Sequence, residues 1–292
     1  MFHGLPAFGY IVHTSVGGHD VVRDGGFFAD VLELGFYTVV PFALGAQRLL
    51  NSRIRLQTVI PAVGAGTTAM LALTRSAILG CAVALVVLVI SSFPRKARSR
   101  LPAIALVIGG IVAVVPLVGH SAAGARFATL FNGSHDKDNK VHSENSRAGL
   151  HSVLTHPAGK GLGANPATGQ RFGTSNFTDT ENSYLQVGTE IGAAGMLAFV
   201  AMYLALLWDL LGKARKKSQE GELPTALLAA GIGLFVGGFF LQIWISFPVA
   251  LTFWGLSGAL LGITGTGWPR ETVDVPTASD AALREDRLVR LT

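Results

Sequence analysis

The chain is 292 residues long, 50% hydrophobic and only 14% charged, with a mean hydropathy of +0.47. Soluble domains carry about 25% charged residues, so this composition argues against a pair of ordinary soluble domains and for one polytopic membrane unit. The net charge of +5 lies in short basic clusters between apolar runs, a placement that reports topology rather than a nucleic-acid surface.

In chain order, residues 1–26 lack a basic stretch followed by an apolar one, so they do not read as a signal peptide. A helix needs about 20 apolar residues to cross the hydrocarbon core. The segments that qualify are 27–47, 56–74, 76–93, 101–119, 184–211, 223–245 and 247–263. The first is the weakest, with Asp30 and Glu33 near one end. The second and third are parted only by Arg75 and its neighbours, and the last two by Ser246-Phe247-Pro248, read as a tight turn. The single cysteine, Cys81, falls inside the third run. It excludes a disulfide framework within the chain and reads as a small buried residue.

The expected fold is therefore all-α: a polytopic transmembrane bundle of about seven spans with one large extracytoplasmic loop. Residues 1–119 would form an N-terminal membrane region, 120–183 the loop, 184–263 a C-terminal membrane region, and 264–292 a disordered, polar cytoplasmic tail. Basic residues set the orientation. Arg48, Arg53 and Arg55 follow the first span, Arg95, Lys96, Arg98 and Arg100 the third, and Lys213, Arg215, Lys216 and Lys217 the fifth. Alternating seven spans puts all three clusters on one side, which the positive-inside rule makes cytoplasmic. Arg75, residues 1–26 and the 120–183 loop then face outward.

That loop holds five of the eight histidines and six basic residues, which suits an anionic ligand such as a pyrophosphate. His120, His135, His142, His151 and His156 match no tight metal-ligand spacing, and no metal site is expected. Gly159-Lys160-Gly161-Leu162-Gly163 superficially resembles a phosphate loop. It lacks the Walker spacing and a preceding strand, and with His156-Pro157 before it reads as a sharp turn. Its backbone N–H groups could still face a phosphate.

Three positions carry more weight. Arg75, in Thr74-Arg75-Ser76, is either a functional cation at membrane depth or a plain interfacial arginine. Arg147 precedes Ala148 to Leu154, which can form an amphipathic helix lying on the membrane. Its planar fork suits phosphate, and its plainer reading is a solvated loop charge. Glu181, at the mouth of the fifth span, reads either as a helix-terminal acid or as a general base at the membrane face. Glu190 lies within the span, where carboxylates are rarely idle.

Taken in order, these pieces resemble the O-antigen ligase and polymerase-like membrane family. They are Thr74-Arg75-Ser76, Arg147, His156 to Gly163, Asn182-Ser183-Tyr184-Leu185-Gln186, and Glu190 to Gly195, and the likeness covers roughly residues 56–210. The resemblance implies an integral glycosyltransferase of the bacterial cytoplasmic membrane. Its partners would be a polyprenyl-pyrophosphate-linked glycan donor, a glycan or lipid acceptor and membrane lipids, with no cofactor. It further implies that Arg75 and Arg147 hold the pyrophosphate and that Glu181 is the base, with His156, Asn182, Tyr184 and Glu190 as secondary candidates. Ligases of this family often carry His immediately before the Asn of the Asn-x-Tyr-Leu motif. Glu181 stands there instead, which leans toward the polymerase type. Family members usually have about ten to twelve spans and six or seven are read here; the missing part would be N-terminal, so the resemblance implies either a short or truncated member or a true start that lies upstream. The competing readings are a transporter or flippase for a lipid-linked or anionic solute, and a truncated member without catalysis.

Overall fold

The computed structural model describes residues 11–16, 19–24, 28, 31–72, 74–91, 137–166, 169, 177–215 and 221–265. The expected span at 101–119, the basic cluster at 95–100, His120 and His135, and nearly all of the 264–292 tail lie outside them. The chain divides into two units, Met1–Gly258 and Ala259–Thr292. The elements that form the site belong to the first, and the second contributes only the last turns of its connecting helix.

The regular elements among the described residues are helices and one two-stranded antiparallel ribbon, β1 (Ile11–Val16) and β2 (His19–Asp24), paired Ile11 to Asp24 through Val16 to His19. The ribbon adds to the all-helical expectation. Its short alternating segments sit in a stretch with no long apolar run, so hydropathy over the length of a span does not reveal it. Helices α1 (Val31–Tyr37) and α2 (Val39–Asn51) meet at Thr38, whose hydroxyl donates back to Gly35 O at 2.6 Å. Then come α3 (Leu56–Leu71), α4 (Arg75–Ser91), α5 (Lys137–Thr155), α6 (Ser183–Ala214), α7 (Glu222–Gly237) and α8 (Phe247–Gly265).

Among the described residues one helix, α6, is long and apolar enough to cross a membrane, with a mean hydropathy of 2.0 over its best window; α3, α4, α7 and α8 are shorter apolar helices. The α6 helix is broken at Gly192 (φ 85°, ψ 174°). Residues 193–214 beyond the break still span about 33 Å at about 1.5 Å per residue, against a hydrocarbon core of about 30 Å. Large apolar side chains point outward along these helices: Trp208 is 71% exposed, Leu197 64% and Phe247 72%. A water-soluble fold would bury such a belt, whereas lipid rewards it.

The interior is built on close approach. α2 packs against α3 and α7, and α6 against α5 and α7. Gly80 of α4 and Gly233 of α7 meet backbone to backbone: a Cβ on Gly233 would lie 2.4 Å from Gly80 O. Small residues allow this in membrane bundles, where packing rather than water expulsion drives association. Fully buried Tyr203 organises an aromatic cluster, stacked on Phe253 at 5.7 Å and tilted on Trp244 at 5.4 Å, while its hydroxyl donates to Gly231 O at 2.8 Å. Cys81 is buried and unbridged, as its sequence context indicates.

Two sequence expectations need correction. The apolar run 223–245 is not one helix. α7 stops at Gly237, and residues 238–246 form turns whose backbone is bound by the start of α6. The helix around Arg147 is not a short surface helix from 148. It begins at Lys137 and packs alongside α6.

Candidate functional site

Asn182 begins the site because it begins α6. Its side-chain oxygen accepts from the N–H groups of Tyr184 (2.9 Å) and Leu185 (3.0 Å), which caps the helix. Its amide donates to Phe239 O at 3.0 Å. Ser183 Oγ donates to Leu241 O and accepts from Ile243 N, both at 2.8 Å, and Tyr184 OH donates to Phe235 O at 2.6 Å. Asn-Ser-Tyr is thus a clamp that closes the unwound end of α7 onto the start of α6. It satisfies carbonyls that would otherwise be left bare in an apolar run.

The same end of the bundle gathers other helix starts. Ser246 Oγ, just before α8, donates to Glu33 Oε1 of α1 at 2.8 Å. Gly35, one half-turn on, backs onto Thr74, so that a Cβ there would meet Thr74 Oγ1 at 3.0 Å. Arg75 opens α4 from this point, half-buried.

Helix α5 runs beside the first part of α6 in the same direction. His142 meets Glu181, Gly149 lies against Thr180 and Leu185, Val153 against Gly188, and Pro157 against Gly192. At its lower end the glycine turn docks into the break of α6. Lys160 N–H donates to Thr189 O at 2.8 Å, Gly161 N–H to Glu190 O at 3.1 Å, and Ala193 N–H to Pro157 O at 2.9 Å. The break frees the carbonyls of residues 189 and 190, and the turn supplies the donors.

At the upper end, Glu181 adopts φ 41°, the positive-φ non-glycine among the described residues. Its N–H donates to Asp179 Oδ1 at 3.3 Å, and its Oε2 contacts His142 Nδ1. Such backbone strain collects where surrounding structure holds a side chain in place. Next to it, partial burial raises the Asp179 carboxyl above its ordinary value, opposed by the Thr180 backbone N–H and the charge of His142.

Two cavities flank α5. One, of about 530 Å³, is mostly apolar and is lined by Arg147, Leu150, Asn182, Tyr184, Met196 and Phe239 among others. The other, of about 430 Å³, has a mixed lining, more polar than the first, that includes Asn145, Ser152, His156, Lys160, Phe177 and Asp179. The segment 179–182 runs between them, with Asp179 in the more polar lining, Asn182 in the apolar one and Glu181 between these two residues.

The structure thus brings Arg147, Asn182 and Tyr184 to one cavity and sets Glu181 beside it. It places exposed His156 in the other cavity, its Nδ1 2.9 Å from Thr155 Oγ1. Arg75 and Glu190 are in neither lining. Arg75 stands at the same end of the bundle, and Glu190 contributes its carbonyl to the glycine turn. The residue that sequence reasoning passed over is His142, counted only as one of five loop histidines. Its signal was the stripe His142, Gly149, Val153, which is helical spacing of one face and is the face laid on α6.

Residues 60–200 match a family model described as O-antigen ligase. No curated protein matches the chain.

Proposed function

Because residues 60–200 are an O-antigen ligase-like domain, we propose that this membrane protein is a glycosyltransferase that transfers or polymerises saccharide from a polyprenyl-pyrophosphate carrier. The observation that carries the reading is the apolar cavity. Arg147, a permanent cation, opens onto a space whose lining is mostly apolar, with Leu150, Tyr184, Met196 and Phe239 among its walls. A bidentate phosphate donor set in an apolar cleft is complementary to an amphiphile with an anionic head and a hydrocarbon tail. A soluble nucleotide sugar would gain nothing from those walls.

In the proposed reaction an acceptor hydroxyl oxygen attacks the anomeric carbon of the donor sugar. The bond from that carbon to the pyrophosphate oxygen breaks, and the polyprenyl pyrophosphate leaves with the bonding electrons. Arg147, with Arg75 from the start of α4, stabilises the charge that builds on the leaving oxygen. The acceptor proton passes to the Glu181–His142 pair. Either partner is a competent base, and the contact lets one orient and tune the other. The Glu that stands where ligases often have His is in this way joined by a histidine from α5. Inversion at the anomeric carbon follows from a single in-line displacement.

The positive-inside distribution supports a topology of seven spans, with α5, the glycine turn and the start of α6 on the outer face of the bacterial cytoplasmic membrane. The test is transfer by purified protein from a lipid-linked oligosaccharide. Transfer by the parent protein that is lost in folded Arg147→Ala and Glu181→Gln variants supports the reading; no transfer by the parent overturns the activity, and full activity in both variants overturns the assignment of these residues. The surface glycan of a strain lacking the protein distinguishes the acceptors. Single repeat units would mark a polymerase, and free polymer on its carrier a ligase.

A further inference from the structure

We propose that the cavity of mixed polar and apolar lining on the other side of α5 is the saccharide subsite of the acceptor, binding a pyranose-based glycan; the proposal rests on the glycosyl-transfer reading above. The cavity's volume of about 430 Å³ lies within the roughly 300–1,000 Å³ typical of small-ligand sites. Its lining comes from three separate pieces of chain: Asn145 and Ser152 from α5, Lys160 from the glycine turn, and Phe177 and Asp179 from the segment leading to Glu181.

The chemistry of that lining selects among ligand classes. A sugar ring presents hydroxyls that both donate and accept, set around an apolar C–H face. Asn145 offers a donor and an acceptor, Asp179 an acceptor, Lys160 donors, and Phe177 an aromatic surface. A lipid tail would strand the polar groups, and a simple anion would meet the Asp179 carboxylate. Ser152 adds an independent observation. It is 3% exposed and lines the cavity, and its hydroxyl has no hydrogen-bond partner among the described residues. Buried hydroxyls are ordinarily satisfied, and a ligand hydroxyl would satisfy this one. Lys160 Nζ donates to Thr178 Oγ1 at 3.1 Å, which ties the glycine turn to the segment carrying Phe177 and Asp179.

Position agrees with chemistry. Asp179 lines this cavity and Asn182 the one that Arg147 lines, and Glu181 lies between these two residues in the chain. Donor and acceptor would then reach the base from opposite sides of one strip of chain, and neither would have to cross the other's cavity.

The experiment is saturation-transfer NMR on the full-length protein in detergent, with glucose, N-acetylglucosamine and glucuronate as probes. At least one probe is expected to bind. Its affinity should fall about tenfold in Asn145→Ala and in Phe177→Ala, the scale of one lost contact, and should persist in Arg147→Ala. The two substitutions lie on different elements, so a folding defect in one leaves the other informative. Binding by none of the probes, or binding unchanged in both variants, overturns the proposal. Because no turnover is read, the two readings fail separately. Sugar binding by a protein that transfers nothing from a lipid-linked oligosaccharide would remove the transferase reading and leave the sugar site standing, whereas transfer without sugar binding would do the reverse.

Discussion

Gly159 and Gly192 hold each other's backbones so closely that neither position has room for a side chain. A Cβ on Gly192 would lie 2.4 Å from Pro157 O, and one on Gly159 would lie 2.6 Å from Glu190 O and from Gly192 N. Both residues also adopt φ 85°. This junction carries the end of α5 and the glycine turn onto the broken span, and so fixes the walls of both cavities.

Alanine at either glycine should therefore destabilise the protein by more than the roughly 1–2 kcal/mol of a left-handed residue alone, because backbone must move as well. Gly161 is the control. It has φ 95°, but a Cβ there would meet nothing within 4 Å, so Gly161→Ala should show only the conformational cost. Thermal unfolding in detergent gives the order, with Gly192→Ala and Gly159→Ala melting well below Gly161→Ala.

Substitutions at the Glu181–His142 contact should act on the chemical step. Glu181→Gln and His142→Gln are each expected to lower kcat by about 10²- to 10⁴-fold, the usual contribution of acid–base catalysis, with little change in melting temperature. The double variant should lose little more than the worse single one, since the two act as a unit. Additive losses would show that the residues work independently.

Arg147→Ala should raise the KM for the lipid-linked donor and lower kcat. Arg147→Lys should restore part of the binding but less of the rate, because an ammonium keeps the charge and loses the bidentate fork. Equal recovery of both parameters would mean that charge alone matters at this position.

Asp179 gives a pH signature. Its folded-state carboxyl is raised, so the native state holds the proton more tightly than the unfolded chain does. That contribution favours the fold at acid pH and is lost as pH rises from the ordinary aspartate value of about 3.9 through the raised one. Asp179→Asn should remove this component, and the difference in melting temperature between variant and parent should grow in the variant's favour as pH rises through that window.

The Asn-Ser-Tyr clamp is expected to affect stability first. Tyr184→Phe removes the 2.6 Å bond to Phe235 O and should cost about 1 kcal/mol. Asn182→Ala removes the cap of α6 together with the bond to Phe239 O, and should cost about 1–2 kcal/mol for the cap alone. Chemical denaturation in mixed micelles would measure both.

Much of this was legible in the residues. The apolar runs 56–74, 76–93 and 184–211 correspond to α3, α4 and α6 within a few residues, because hydropathy and helical propensity agree there. Glu181 reads as a helix-terminal acid, and the helix does start there, but the residue that caps it is the next one, Asn182. The run 223–245 misled because hydropathy reports an apolar environment and not helicity. Residues 238–246 are as apolar as the helix before them, but their carbonyls are taken by Asn182 and Ser183. The length of α5 was hidden for the opposite reason, since Lys137 to Arg147 is polar and its helix is stabilised by packing on α6.

The sequence by itself determined the apolar, membrane-type composition, the polar segment set between apolar runs, and the place of Arg147 and Glu181 in that segment; these are properties of local composition and spacing. Only the tertiary structure decided that His142 meets Glu181, that Gly159 locks into the break at Gly192, and that a cavity of different polarity lies on each side of α5. Those relationships join residues distant along the chain, and they arise from which face of α5 packs on α6 and from which N–H groups satisfy the carbonyls that a broken span exposes.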